Sequence, residues 1–239
     1  MSVPKIRVFP TPETVARAVV DHIVESAATA IGEQGNFSIG LSGGKTPKPI
    51  YELLTDEPYL GRIEWPKVEI FFCDERCVPP EHADSNFRLI RETLLDYVDI
   101  PPANIHRMRG EIDPEAAAAE YGRMLKEKFG EGGLDLALLG MGEDGHTASL
   151  FPGSSALEEA EHRCVATFVE KLNAWRLTLT VPFLNRSREV LIPVTGVNKA
   201  ARVQEVLEGL DDAEPLPVQL INPDSDQLLW FLDAGAAGM

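Results

Sequence analysis

The chain has 239 residues, and its 22 basic against 38 acidic side chains leave a net charge of −16. That length suits one large α/β domain and needs no disulfide or metal staple, while 44% apolar and 25% charged residues exclude a mostly disordered chain. The acidic excess argues against nucleic acid and anionic membrane as partners, yet leaves room for a small anionic ligand held by local cations, because salt screens charge beyond about 8–10 Å.

Ile6–Phe9 reads as a short strand, and Pro12 opens a helix whose Val15, Ala18, Val19, Ile23 and Ala27 recur at helical spacing. The N-terminal residues, with Pro4, Pro10 and Pro12, lack the apolar run of a secretory leader. No apolar run reaches the roughly 18 residues of a membrane span. Phe37–Leu41 is the next strand and ends at Ser42-Gly43-Gly44-Lys45-Thr46, after which Pro47 suits the first turn of a helix through Leu54. Val68–Cys73 is continuously apolar, the pattern of a strand covered on both faces. Ser85 caps a helix with Phe87, Ile90, Leu94 and Leu95 on its inner stripe, and the alanine-rich Pro114–Phe129 is a further helix.

Leu134–Leu139 is a fourth strand, running into Gly140-Met141-Gly142-Glu143-Asp144-Gly145-His146. Cys164–Phe168, Arg176–Val181, Val190–Val194 and Leu228–Leu232 supply later strands, with a helix after Asn198 that ends near Gly209. Pro101-Pro102 and the acidic Asp211–Pro217 stretch read as surface loops. No Ser- or Gly-rich linker divides the chain, so residues 1–239 are expected to form a single domain. Strands alternating with helices predict the α/β class, a mostly parallel sheet flanked by helices. Cys73, Cys77 and Cys164 are an odd number without a framework pattern, which fits a reducing cytoplasm. Cys73-x3-Cys77 is followed by no second pair, so no metal site is expected.

Three polar segments directly follow predicted strands, which in an open parallel sheet brings them together at the carboxyl edge. In Ser42–Thr46 two glycines let several N–H groups face one point, an anion cradle to which Lys45 and Thr46 add a charge and a hydroxyl. It differs from a nucleotide P-loop, because Gly40 lies one residue too near Gly44. Gly140-x-Gly142-x-x-Gly145 formally matches the dinucleotide fingerprint, but Glu143 and Asp144 would set carboxylates beside a pyrophosphate and Pro152-Gly153 interrupts the following helix. It reads better as a catalytic turn. A carboxylate beside an imidazole fixes its tautomer, and a histidine pKa of about 6.5 suits proton transfer at neutral pH, which points to Asp144 and His146. Cys73-Asp74-Glu75-Arg76 is either a solvated turn or a charged clamp in the same crevice. Arg88, Arg91 and Lys199 add cations, Lys199 being the stronger candidate because Thr195–Lys199 again joins a strand to a helix.

These motifs resemble the 6-phosphogluconolactonase family, a branch of the superfamily that includes glucosamine-6-phosphate deaminase. The resemblance spans LSGGKTP at 41–47, FFCDERCVPPEHADSN at 71–86, LLGMGEDGHTASLFPG at 138–153, VPFLNRS at 181–187, TGVNKA at 195–200 and LLWFLD at 228–233. It implies a NagB/RpiA-like, Rossmann-like three-layer fold. It also implies cytoplasmic hydrolysis of 6-phospho-D-glucono-1,5-lactone to 6-phosphogluconate, the second step of the oxidative pentose phosphate pathway, by a monomer or small homo-oligomer with no cofactor or metal.

Carried over by position, the family's catalytic histidine falls on His146, its aspartate on Asp144 and the arginine of DER on Arg76, where the deaminases have tyrosine. Ser42, Gly43, Gly44, Lys45, Thr46, Asp74 and Lys199 are the expected substrate and phosphate contacts. Backbone N–H groups and Arg76 are alternative stabilisers of the oxyanion. The glutamate of the deaminases' HIAFNEP falls on Phe151, which weakens the alternative of isomerisation with deamination. A non-catalytic sugar-phosphate sensor is the other alternative, and the chain leaves no room for an N-terminal helix-turn-helix.

Overall fold

A computed structural model describes residues 4–209 and 214–239. In chain order the strands are β1 (Lys5–Phe9), β2 (Phe37–Leu41), β3 (Val68–Phe72), β4 (Asp74–Arg76), β5 (Ile105–His106), β6 (Leu136–Leu138), β7 (Cys164–Val169), β8 (Ala174–Leu179), β9 (Glu189–Val194) and β10 (Leu228–Asp233). The α-helices are α1 (Pro12–Gln34), α2 (Lys48–Leu54), α3 (Asn86–Thr93), α4 (Pro114–Phe129), α5 (Val181–Asn185) and α6 (Ala200–Glu208).

Seven strands form a parallel sheet in the order β1-β10-β9-β6-β2-β3-β5, and β4-β8-β7 form a small antiparallel sheet. The α/β class is as expected, and β2 and α4 have the bounds that the sequence predicts. Other strands differ by one or two residues at their ends, as β6 does from the expected Leu134–Leu139, and Leu94 and Leu95 lie beyond the end of α3. The expected strand Arg176–Val181 starts earlier and stops at Leu179, because Pro182 suits a helix start and Val181 opens α5. β4 and β5 are too short to show a periodicity. Of the expected acidic loop, residues 211–213 lie outside the described residues. No helix among the described residues is long and apolar enough to cross a membrane.

Helix α1 shows how local signals become packing. The Thr11 hydroxyl accepts from Thr14 N–H, Pro12 takes the first turn, and Gly35 at φ 87° stops the helix while its N–H donates to Ile31. Its stripe of Val15, Val19, Val20, Ile23, Ala27 and Ile31 is buried against the sheet. On β3, Phe72 meets Phe87 of α3 while its neighbour Phe71 meets Phe129 of α4. Consecutive strand residues point to opposite faces, so α3 and α4 cover different sides of the sheet.

The chain runs from β2 outward to β3 and β5, and later from β6 outward through β9 to β10, so the order reverses between β2 and β6. That reversal opens a crevice at the carboxyl ends of the strands, where α/β proteins bind ligands. The loops after β2, β3, β6 and β9 all leave from this edge.

Tyr121 of α4 secures the point where β3 leaves the sheet for β4. Its hydroxyl accepts from Phe72 N–H at 2.9 Å and donates to the His106 carbonyl at 3.1 Å, continuing the β3–β5 ladder through a side chain. Burial pushes its phenol pKa up, so it stays a donor. Tyr121→Phe should therefore leave a buried N–H without its acceptor and cost about 1–3 kcal/mol in urea unfolding; an unchanged midpoint would show that the amide finds another partner.

Candidate active site

The loop after β2 is held open by its neighbours. A Cβ on Gly43 would lie 1.8 Å from Asn86 Oδ1, so only glycine lets the loop approach the start of α3. Gly44 adopts φ 119°, a region that glycine enters without strain. The N–H groups of Gly43, Gly44 and Lys45 make no hydrogen bond to any described residue, which leaves them as donors for an anion. The Ser42 hydroxyl is buried and unpartnered. Thr46 meets Thr195 of the loop after β9 through their hydroxyls at 3.4 Å, joining two of the edge loops. Lys45 is exposed and lines a groove with Pro12, Glu13, Thr46 and Thr195.

The loop after β6 folds as a tight turn. Gly142 N–H donates to the His146 carbonyl at 2.8 Å, and Gly145, at φ 78°, donates to Gly142. This closure brings the His146 ring onto the glycine backbone, where a Cβ on Gly142 would stand 2.0 Å from Nδ1 and 2.6 Å from Asp144 Oδ1. No long helix follows, so the formal dinucleotide pattern lacks the helix N-terminus that would bind a pyrophosphate.

His146 Nδ1 lies 2.5 Å from Asp144 Oδ1. The carboxylate accepts from Nδ1–H, which sets the tautomer and leaves Nε2 as the basic nitrogen. Nε2 has no hydrogen-bond partner among the described residues. The ring stacks on Phe151 at 4.3 Å and 27°. Lys171, in the turn between β7 and β8, donates to Asp144 Oδ2 and sits 4.4 Å above the Phe151 ring. Burial raises the Asp144 pKa, but the Lys171 and His146 hydrogen bonds outweigh it and hold the carboxyl well below the usual carboxylate range.

The segment after β3 is not a solvated turn. Asp74–Arg76 pairs antiparallel with β8. Glu75 is buried, and its carboxylate accepts from the N–H groups of Arg76, Asn86 and Phe87 and from the Ser85 hydroxyl, which fixes the start of α3. Burial pushes the Glu75 pKa up against those donors. Asp74, expected to contact substrate, is only 7% exposed, and both its oxygens are engaged by protein. Oδ1 accepts from Asn86 Nδ2 at 3.0 Å and Oδ2 from the Ser149 hydroxyl at 2.8 Å. It is a brace between loops. Arg76 is half-buried and donates to the Asp84 carbonyl at 2.5 Å.

Lys199 donates to the Met141 carbonyl at 3.0 Å and thereby ties the loop after β9 to the glycine turn. Its burial lowers the ammonium pKa, while Glu143 and Asp144 raise it. Asn198 and Arg202 hold Glu143 by its side chain and carbonyl. Arg88 and Arg91 are engaged on the α3 surface by Glu92 and Glu81. The structure thus brings Ser42–Thr46, Asp144, His146 and Lys199 to one sheet edge. Lys171 escaped the sequence reading, because it lies 27 residues from Asp144 in a turn without a motif.

The model of the glucosamine-6-phosphate isomerases/6-phosphogluconolactonase family matches residues 10–230. A 6-phosphogluconolactonase of Nostoc sp. is 38% identical to this chain, over 97% of this chain and 96% of its own length. The solved 6-phosphogluconolactonase from Trypanosoma cruzi superposes with a TM-score of 0.89 at 30% identity, covering 100% of this chain and 97% of that one. A monomeric glucosamine-6-phosphate deaminase has a TM-score of 0.84 at 20% identity, covering 98% and 99%, a likeness of fold alone. The chain belongs to the family of glucosamine-6-phosphate isomerases and 6-phosphogluconolactonases.

Proposed function

We propose that the chain hydrolyses 6-phospho-D-glucono-1,5-lactone to 6-phosphogluconate, with His146 as general base and then general acid. The observation that carries this reading is the Asp144–His146 pair with Nε2 left free at the crevice. The relatives named 6-phosphogluconolactonase support the choice of substrate.

Water attacks lactone C1 while Nε2 takes one of its protons, and charge collects on the carbonyl oxygen. The tetrahedral intermediate then collapses, the bond from C1 to the ring oxygen breaks, and the imidazolium returns the proton to that oxygen. Asp144 holds the ring in place and offsets the charge of the imidazolium. The free N–H groups of Gly43, Gly44 and Lys45, with Lys199 and Arg76, supply donors for the phosphate and the oxyanion.

Deamination is the weaker reading on a specific contact. Phe151 occupies the position of the deaminases' glutamate and stacks on the imidazole, so the ring there has an apolar neighbour in place of an acid to exchange protons with.

His146→Ala should lower turnover about 100- to 10,000-fold, measured as acid release above the spontaneous rate. A near-native rate, or ammonia release from glucosamine 6-phosphate by the unaltered chain, would sink the reading. Gly142→Ala should cut turnover comparably while the chain stays folded by circular dichroism, because the added methyl displaces the imidazole; a variant with full activity would show that the turn has room to yield. Lys171 gives a prediction in pH. The depressed Asp144 pKa means that its stabilising contribution stands above the unfolded carboxylate value, about 4, and is lost as pH falls through the folded one. In Lys171→Met the Asp144 carboxyl should titrate at higher pH, closer to that ordinary value, followed by carbon NMR. An unmoved titration would show that the ion pair does not form in solution.

A further inference from the structure

Arg176 of β8 is half-buried, and its guanidinium makes no hydrogen bond or ion pair to any described residue. Its setting is unfavourable for a lone cation. The β4–β8 register places it directly opposite Arg76, and residues opposite one another in an antiparallel pair project from the same face. Two like charges in that relation destabilise the pair. Burial lowers the Arg176 pKa, and the Arg76 charge lowers it further. Asp74 and Asp84 offset part of that repulsion, but neither makes a hydrogen bond or ion pair with the Arg176 guanidinium. Asp74 is on the same face, but its oxygens are taken by Asn86 and Ser149, and Arg76 itself meets only a backbone carbonyl.

This face of the small sheet looks onto the loop that carries His146. Thr178, two residues along from Arg176, accepts from Ser149 N–H at 3.2 Å, and Asp74 opposite it accepts from the Ser149 hydroxyl. On the other flank Thr167, registered with Arg176 on β7, shares a hydrogen bond with the Ser154 hydroxyl at 2.9 Å. Arg176 therefore stands between two points of contact with residues 149–154, and its donors are unengaged. What would offset two neighbouring guanidiniums is an anion of matching charge that persists through the reaction. The oxyanion is single and transient, whereas a phosphate monoester is close to doubly charged in substrate and product alike. Paired planar guanidiniums also suit its oxygens bidentately.

We propose that Arg176 and Arg76 together clamp the phosphate of the substrate, which makes Arg176 a specificity-determining residue. This rests on the lactonase reading above. The test uses the full chain and Arg176→Gln, with inorganic phosphate as the probe. The substitution should raise both KM for the phosphorylated lactone and the inhibition constant of phosphate about 10- to 100-fold, with kcat changed much less. An inhibition constant equal to that of the unaltered chain, or a loss in kcat alone, would overturn the proposal. Thermal melts supply an independent arm. Without ligand, Arg176→Gln should melt at or above the unaltered chain, since it relieves a like-charge pair, and phosphate should raise its melting temperature less. A ligand-free melt several degrees lower, with the phosphate-induced rise intact, would assign Arg176 a structural role and overturn the clamp. If the unaltered chain shows no lactone hydrolysis above the spontaneous rate, the lactonase reading fails, while the phosphate-dependent melts still decide the clamp.

Discussion

The buried carboxylate of Asp74 is the tie on which the site's geometry hangs. One oxygen holds the Asn86 amide and the other the Ser149 hydroxyl. Asn86 is in turn the surface against which Gly43 packs so closely that no side chain fits, and Ser149 lies three residues beyond His146. A single group thus links the glycine loop after β2 to the loop bearing the imidazole. A buried carboxylate left without partners is costly, so each donor is held in place by the same requirement that holds Asp74. The neighbouring Glu75 does the equivalent for the backbone, accepting from Arg76 N–H on β4 and fixing the start of α3 through the N–H groups of Asn86 and Phe87.

How the proposed anion site can sit in so acidic a chain follows from the same local architecture. The net charge of −16 belongs to the whole molecule, and most of the cations that reach the surface are paired there, as Arg88 and Arg91 are on α3. At the sheet edge the pairing is broken. Lys199 donates to a carbonyl, Arg76 does the same, and the N–H groups of 43–45 are free. Salt screens the distant surface carboxylates beyond a Debye length, so these local donors remain available to a small ligand.

The parts legible in the sequence are those whose signal is local. Ser42–Thr46 and Gly140–His146 announce themselves because a chain that must reverse sharply after a buried strand needs glycine, and those glycines flank the polar residues. The strands and long helices carry caps and periodicity that settle most of their bounds. The bracing role of Asp74 was not legible, because a carboxylate in a polar strand-end segment looks the same whether it faces solvent or a buried amide. Lys171 and the opposition of Arg176 to Arg76 were invisible for a different reason. Both arise from the second sheet, whose β4 has three residues and no readable period, and register between distant strands leaves no mark in either strand alone.

On the proposed reading, Phe151 is where one fold would divide between two chemistries. An acid stacked near the imidazole would compete with Asp144 for its proton and offer a second relay, as ring opening of an amino sugar requires. An aromatic ring contributes neither charge nor proton, and it stacks on the imidazole while Lys171 packs over the same aromatic ring. The ammonium in turn bonds to the Asp144 oxygen that His146 does not use, so the carboxylate stays ionised and the histidine remains the group free to exchange a proton with water. Hydrolysis of a lactone needs one such group acting twice, first as base and then as acid. In the mechanism we propose that group is His146, with the Asp144 carboxylate held ionised beside it.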